Sequence, residues 1–182
     1  MLRELGAEVL DADEAAHDVY EPGGPAFDEV VREFGPEYVR DGRIDRKRLG
    51  ELVFNDEAAR LRLNAIVHPQ VREWMAARTA EAVERGVEVV VQEVPLLFEN
   101  GLGRLYGQVV LVYVPESLQL QRLMERGVDE KRARSIIGSQ MPIEEKRKLA
   151  DHVVDNSGSL EATREQVSTF WRDRYFWRQK HL

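Results

Sequence analysis

Two runs of β-branched residues constrain this chain more than any other feature: Val87-Glu88-Val89-Val90-Val91-Gln92-Glu93-Val94 and Gln108-Val109-Val110-Leu111-Val112-Tyr113-Val114. Both are bracketed by Gly or Pro and fall far short of the roughly 20 apolar residues that cross a bilayer, so they read as strands. Their near-continuous apolarity suits a parallel sheet covered on both faces. Shorter strands are predicted at 7–10 and 152–155. Between them the pattern predicts helices over 25–34, 45–54, 56–67, 69–86, 116–126, 129–140 and from 159 to about 175, with further helices opening near Glu14 and Glu144. Asp45, Asp56, Asp129 and Ser159 can each accept backbone N–H bonds at a helix start. Pro69 is placed in the first turn of its helix, where its missing N–H costs nothing. Strands separated by helices indicate an α/β fold with a parallel sheet, and the long helical stretch between the first two strands reads as an inserted subdomain. The tail, residues 172–182, is basic and aromatic and is expected to fray.

Composition narrows the function. The 182 residues carry 26 Lys and Arg against 33 Asp and Glu, a net charge of −7, which argues against a surface devoted to nucleic-acid phosphates. With no cysteine, disulfides, thiolate metal sites and cysteine nucleophiles are excluded. No His-x-x-x-His pairing occurs, so no dedicated zinc site is expected. The Met1-Leu2-Arg3-Glu4 start lacks a signal-peptide hydrophobic region, and no membrane attachment is expected; the reading is a cytoplasmic protein.

In open parallel sheets ligands bind beyond the carboxyl ends of the strands. Two acidic clusters sit there: Asp11-Ala12-Asp13, and Glu93 followed by Val94-Pro95-Leu96-Leu97-Phe98-Glu99. Carboxylates on adjacent strand tips can hold Mg²⁺ through water or take a proton from a hydroxyl. The plainer alternative is that Asp11 or Asp13 caps the helix opening near Glu14. His68-Pro69 stands at an expected helix start, and His17, His152 and His181 are the other histidines; for His68 a structural hydrogen bond is the plain reading. Residues 121–148 hold eight basic against five acidic residues. Arg122 and Arg126, four apart, share a helix face and could reach one phosphate chain, although such a run is also what a solvated surface looks like. Ser139-Gln140-Met141-Pro142 breaks one helix before the next. Asp155-Asn156-Ser157-Gly158-Ser159 follows the last strand, where an Asn amide matches the donor and acceptor pair of a purine edge or simply serves a turn.

Taken in order, Leu5-Gly6-Ala7-Glu8-Val9-Leu10-Asp11-Ala12-Asp13 with Ala16-His17, Glu21-Pro22-Gly23, Gly42-Arg43-Ile44-Asp45-Arg46, Ile66-Val67-His68-Pro69, Glu93 to Glu99, Gln119-Leu120-Gln121-Arg122-Leu123-Met124, Ser139 to Arg147 and Val154 to Leu160 resemble the dephospho-coenzyme A kinase family across almost the whole chain. The resemblance implies a P-loop kinase-like three-layer fold forming one domain over 1–182. Its core would lie at about 1–20, 86–120 and 150–182, its helical acceptor-binding insertion at about 21–85 and its lid at about 121–149. It implies transfer of the γ-phosphoryl group of ATP, with Mg²⁺, to the ribose 3′-hydroxyl of dephospho-coenzyme A, with those two small molecules as partners. Asp13 then resembles the catalytic base, and Glu93 stands where the family usually has Asp and would help organise Mg²⁺ with Asp13, through water. Arg122, Arg126, Gln140, Asn156 and Gly158 would bind the nucleotide. Asp11, His17, His68, Pro69, Leu96, Phe98 and Glu99 would line the acceptor side.

One departure stands out: no Gly-x-x-x-x-Gly-Lys-Ser/Thr loop occurs in these residues. The family's opening strand and loop are therefore expected to be missing, with about twenty residues lost before Met1 through truncation or a misassigned start. The loop cradles the β and γ phosphates, so this chain on its own is expected to turn over poorly. Two other readings stay open: a binding remnant that holds coenzyme A or dephospho-coenzyme A without turnover, and a P-loop kinase for another small hydroxyl acceptor.

Overall fold

The structure, a computed structural model, describes residues 1–180, with side chains through residue 173. Its regular elements are β1 (Glu8–Asp11), α1 (Ala12–Tyr20), α2 (Phe27–Phe34), β2 (Val39–Arg40), β3 (Arg43–Ile44), α3 (Arg46–Asn55), α4 (Glu57–Glu84), β4 (Val90–Glu93), β5 (Val110–Tyr113), α5 (Glu116–Glu125), α6 (Glu130–Gly138), α7 (Ile143–Leu149), β6 (His152–Asp155) and α8 (Leu160–Lys180). The chain divides into two compact units, Gly6–Val94 and Met1–Leu5 with Pro95–Leu182. The α/β class and the parallel strand pairs agree with the sequence reading. His181, and the tail side chains on which fraying was expected, lie outside the described residues.

In the first unit β1 and β4 pair in parallel, from Glu8↔Val90 to Asp11↔Glu93. The strand predicted over 87–94 is cut to four residues because β1 offers only four partners. Arg85 on the α4 end meets Glu8 in an ion pair, and Gln92 Nε2 donates to Thr79 Oγ1 at 2.9 Å, so α4 is tied to both strands. The core gathers Val19, Val30, Phe34, Ile44, Leu49, Leu63, Ile66 and Val67, with Leu10, Ala15 and Met75 in a second cluster.

The two helices expected at 56–67 and 69–86 are one, a 28-residue helix with Pro69 in its interior. Pro69 leaves the Ala65 carbonyl without its helical donor, a loss of about 3 kcal/mol in an exposed helix. Burial offsets it: Ala59, Leu63, Ile66, Val67, Met75 and Ala82 keep helical spacing across the proline and are all buried. A second departure is the β2–β3 hairpin, which the pattern did not predict. Its turn is Asp41-Gly42 with φ of 51° and 75°, the doubly positive geometry that matches hairpin twist. After α1, Gly24 passes so close to the helix end that a Cβ there would lie 2.6 Å from the Asp18 carbonyl oxygen.

In the second unit β5 and β6 pair in parallel, from Val110↔His152 to Tyr113↔Asp155. Gln166 on α8 grips the last residue of β6 through both backbone groups: Asp155 N donates to its Oε1 at 2.9 Å and its Nε2 donates to the Asp155 carbonyl at 2.8 Å. Glu4 pairs with Arg164 at 2.6 Å, docking the N-terminal turn on α8. The expectation of a sheet covered on both faces fails here, since Val112 is 61% exposed on a strand that, among the described residues, pairs with β6 alone. The four helix-start residues behave as read: Asp45, Asp56, Asp129 and Ser159 accept from Arg48 N, Ala59 N, Arg132 N and Ala162 N. No described helix is long and apolar enough to cross a membrane.

Candidate active site

The parallel register of β1 with β4 sets Asp11 directly opposite Glu93, so both carboxylates leave the carboxyl ends of neighbouring strands. Asp11 is the N-cap of α1; its Oδ1 accepts the Asp13 N–H at 2.8 Å. The capping alternative therefore holds for Asp11 and leaves Asp13 free. Asp13 sits in the first helical turn with an exposed carboxylate, and Glu93 is exposed as well. Among the described residues neither carboxylate is engaged by a hydrogen bond or an ion pair. The arrangement is one committed carboxylate that fixes the turn and two uncommitted ones that can meet a ligand.

One helical turn further along α1, His17 Nδ1 takes an N–H from the Arg46 guanidinium. His68 and Pro69 lie inside α4, not at a helix start as expected, because the buried stripe runs unbroken through them. His68 makes no hydrogen bond among the described residues, contrary to its plain reading. Burial, helped by the nearby Arg72 charge, holds its imidazole below the ordinary histidine range.

In the second unit Arg122, from α5, donates to the Asn156 carbonyl at 2.8 Å and is partly buried. Asn156 N donates to the Tyr113 carbonyl at 2.8 Å, and its Oδ1 accepts from Thr163 Oγ1 at 3.0 Å. Among the described residues the side-chain amide nitrogen of Asn156 makes no hydrogen bond. Arg126 is the exposed C-cap of α5, and its N–H donates to the Arg122 carbonyl at 3.2 Å, one helical turn from Arg122. Gly158 lies exposed two residues past Asn156, with open space where a Cβ would go apart from Ala162 at 3.9 Å.

Glu99, expected on the acceptor side, is committed inside this unit. It pairs with Lys146 at 2.7 Å, and its Oε1 accepts the Met141 N–H at 2.9 Å. Lys146 also reaches the Pro95 carbonyl at 3.3 Å and Gln140 Oε1 at 3.5 Å. The lysine side chain is only 8% exposed, and Glu99 Oε2 is buried without a partner. Burial alone would raise the Glu99 carboxyl; the Lys146 bond and the Glu99 and Met141 N–H groups override it and hold the group below the usual carboxylate range. The pair thus closes the 95–99 turn onto the 139–142 break between α6 and α7. Leu96 is exposed and Phe98 half-buried against Gly103. Sequence reasoning missed Lys146, because a lone lysine among charged helix residues gives no sign of burial.

A family model described as dephospho-CoA kinase matches residues 1–162. A dephospho-CoA kinase from Geobacillus kaustophilus is 49% identical over 92% of this chain and 84% of its own length, and one from Carboxydothermus hydrogenoformans is 44% identical over 95% and 87%. Among solved structures, the crystal structure of TT1252 from Thermus thermophilus superposes with a TM-score of 0.78 at 35% identity, covering 94% of this chain and 87% of that one. The dephospho-CoA kinase from Campylobacter jejuni gives a TM-score of 0.69 at 29% identity, over 94% and 86%.

Proposed function

Because this chain belongs to the dephospho-CoA kinase family, we propose that it passes the γ-phosphoryl group of ATP to the ribose 3′-hydroxyl of dephospho-coenzyme A. The observation that carries the proposal is the free Asp13 carboxylate beside the Asp11–Glu93 strand tips. The 3′-hydroxyl oxygen attacks the γ-phosphorus, the bond to the β,γ-bridging oxygen breaks, ADP leaves, and the hydroxyl proton passes to Asp13. Asp11 keeps Asp13 in place by capping the turn.

Glu93 and Asp13 supply hard oxygen ligands suited to a hydrated Mg²⁺, an ion that neutralises charge on the transferring phosphate when bound. No three Asp, Glu or His side chains converge as a cation cage among the described residues, so such an ion would be shared with nucleotide oxygens and water. Arg122 and Asn156 form the nucleotide side, with Asn156 Nδ2 offered to an adenine nitrogen, Arg126 and Gly158 near them in sequence, and Gln140 joined to that side beside Lys146. His17, His68, Pro69, Leu96 and Phe98 belong to the acceptor side, and Glu99 serves it indirectly by bracing the turn that carries Leu96 and Phe98. A cytoplasmic location is part of the same reading.

No residue of this chain is assigned to cradle the β and γ phosphates, because the loop pattern that does so is absent from the 182 residues. A second reading is a protein that binds dephospho-coenzyme A without turnover. ADP release is the test, measured with dephospho-coenzyme A, adenosine and thymidine as acceptors. Release that depends on dephospho-coenzyme A supports the kinase. Release with another acceptor alone overturns it, and tight binding of dephospho-coenzyme A with no release supports the second reading.

A further inference from the structure

We propose that Arg43, Arg46 and His17 form an anion subsite that holds the 5′-diphosphate of the acceptor nucleotide while its 3′-hydroxyl meets Asp13; the inference rests on the reading of the acceptor given above. The first unit carries a cleft of about 340 Å³ lined by His17, Tyr20, Glu21, Arg43, Ile44 and Arg46. Its floor is the α1 stripe, its wall β3 and the first residue of α3.

Charge in this cleft is not balanced from within. The Arg46 guanidinium meets His17 Nδ1, a neutral lone pair, and no carboxylate pairs with it among the described residues. Arg43 meets Glu21 at 3.5 Å, with the two side chains 70% and 45% exposed, a pair that solvent screens and a doubly charged ligand can outbid. Asp45, the nearest acid in sequence, spends its carboxylate on the Arg48 N–H. With Nδ1 accepting, the imidazole presents Nε2–H as a third donor. Burial pushes the Tyr20 phenol up to about 12 against the pull of Arg46, so its hydroxyl stays a neutral donor. Two guanidinium forks with neutral donors beside them suit the oxygens of an anionic ligand such as a phosphate.

Spacing ties this subsite to the chemistry. Asp13 and His17 are four residues apart on α1 and so share one face, with a rise of about 6 Å between them. That is comparable to the reach from a ribose 3′-hydroxyl to the phosphorus on its own 5′-oxygen. An acceptor laid along α1 with its hydroxyl at Asp13 therefore brings its diphosphate to His17 and Arg46. The geometry also explains selection: a nucleoside without the diphosphate forfeits this hold.

Calorimetric titration of the full chain with dephospho-coenzyme A, adenosine and ATP tests the subsite, using wild type, Arg46→Met, Arg43→Met/Arg46→Met and Arg46→Lys. Dephospho-coenzyme A should bind Arg46→Met about tenfold more weakly, and the double variant weaker still, since each lost bond to a charged group is worth roughly that factor. Adenosine and ATP affinities should not change, and Arg46→Lys, which keeps the charge without the fork, should lose part of the affinity with its fold intact. Inorganic diphosphate should displace dephospho-coenzyme A from wild type. If the double variant, or Arg46→Lys where Met variants fail to fold, binds dephospho-coenzyme A like wild type, the subsite is refuted while the acceptor reading stands. If only ATP binding weakens, the cleft serves the donor nucleotide and the inference fails. If wild type does not bind dephospho-coenzyme A, the inference falls with the reading beneath it.

Discussion

Lys146→Met removes a buried positive charge while keeping the length of the side chain, and it isolates the most unusual interaction in the second unit. In the native protein the Lys146 side chain is 8% exposed and its ammonium is 2.7 Å from Glu99, whose second oxygen already lacks a partner. After substitution Glu99 keeps the Met141 N–H and its own backbone N–H, but faces no cation. Breaking a buried pair from one side costs about 3 to 5 kcal/mol, whereas an exposed pair is worth about 0 to 1. Some of that is regained because Met buries apolar surface at the site. A loss of about 3 kcal/mol is expected, or roughly 6 to 12 °C in Tm for a chain of this size. Urea unfolding followed by far-UV circular dichroism at pH 7 reads it.

Two controls separate the pair from a simple packing defect. Glu99→Leu/Lys146→Met should recover much of the loss, because an apolar replacement of both partners removes the stranded carboxylate, and the double-mutant cycle gives the coupling. The pH dependence has a defined sign. Glu99 is held below its usual range in the folded state, so its contribution is complete above the unfolded value near 4.3 and is lost as pH falls through the lower folded value. The difference between wild type and Lys146→Met should therefore be largest at neutral pH and shrink on acidification. A single variant within about 1 kcal/mol of wild type, or a double variant no better than the single, would refute the reasoning.

Other perturbations have equally definite outcomes. Asp13→Asn should lower kcat by roughly 10² to 10⁴ with little change in dephospho-coenzyme A affinity; an unchanged single-turnover rate would remove Asp13 from its role as base. Arg122→Ala should raise the KM for ATP and loosen the loop after β6, seen as faster amide exchange at Asn156, and unchanged exchange would show that the 2.8 Å bond to its carbonyl does not hold that loop. Pro69→Ala should raise stability by about 1 to 3 kcal/mol by restoring a donor to the Ala65 carbonyl, and a fall in Tm would show that α4 depends on the proline. Gly24→Ala should destabilise the first unit, since its Cβ would press on three carbonyl oxygens; a neutral result would mean that the turn after α1 relaxes freely.

What the sequence shows about the fold follows from how local each signal is. Four aspartate and serine caps are read correctly because a cap needs only residues three positions apart. The strand cores at Val90–Glu93 and Val110–Tyr113 are legible from β-branched runs, but their ends are set by partners 82 and 42 residues away, which no local pattern contains. The β2–β3 hairpin did carry a local signal, the Asp41-Gly42 dipeptide between Val39-Arg40 and Arg43-Ile44, which its short flanking strands made easy to pass over. At Pro69 the local rule for a helix start lost to a buried stripe that continues on both sides. The acidic strand tips were visible from position in the chain, and only the register shows that Asp11 faces Glu93 while Asp13 stays free. The Glu99–Lys146 pair spans 47 residues, and opposite charges at that separation are too common to single out one pair.

The product of the transfer reports most directly on the role given to the Asp13 tip. The protein, incubated with ATP and dephospho-coenzyme A, is followed by ³¹P NMR. A new phosphomonoester coupled to the ribose 3′ proton, with ADP appearing in equal amount, is the predicted spectrum. A phosphate at the 2′-position or on the pantoyl hydroxyl, or no new resonance despite bound dephospho-coenzyme A, would contradict the account.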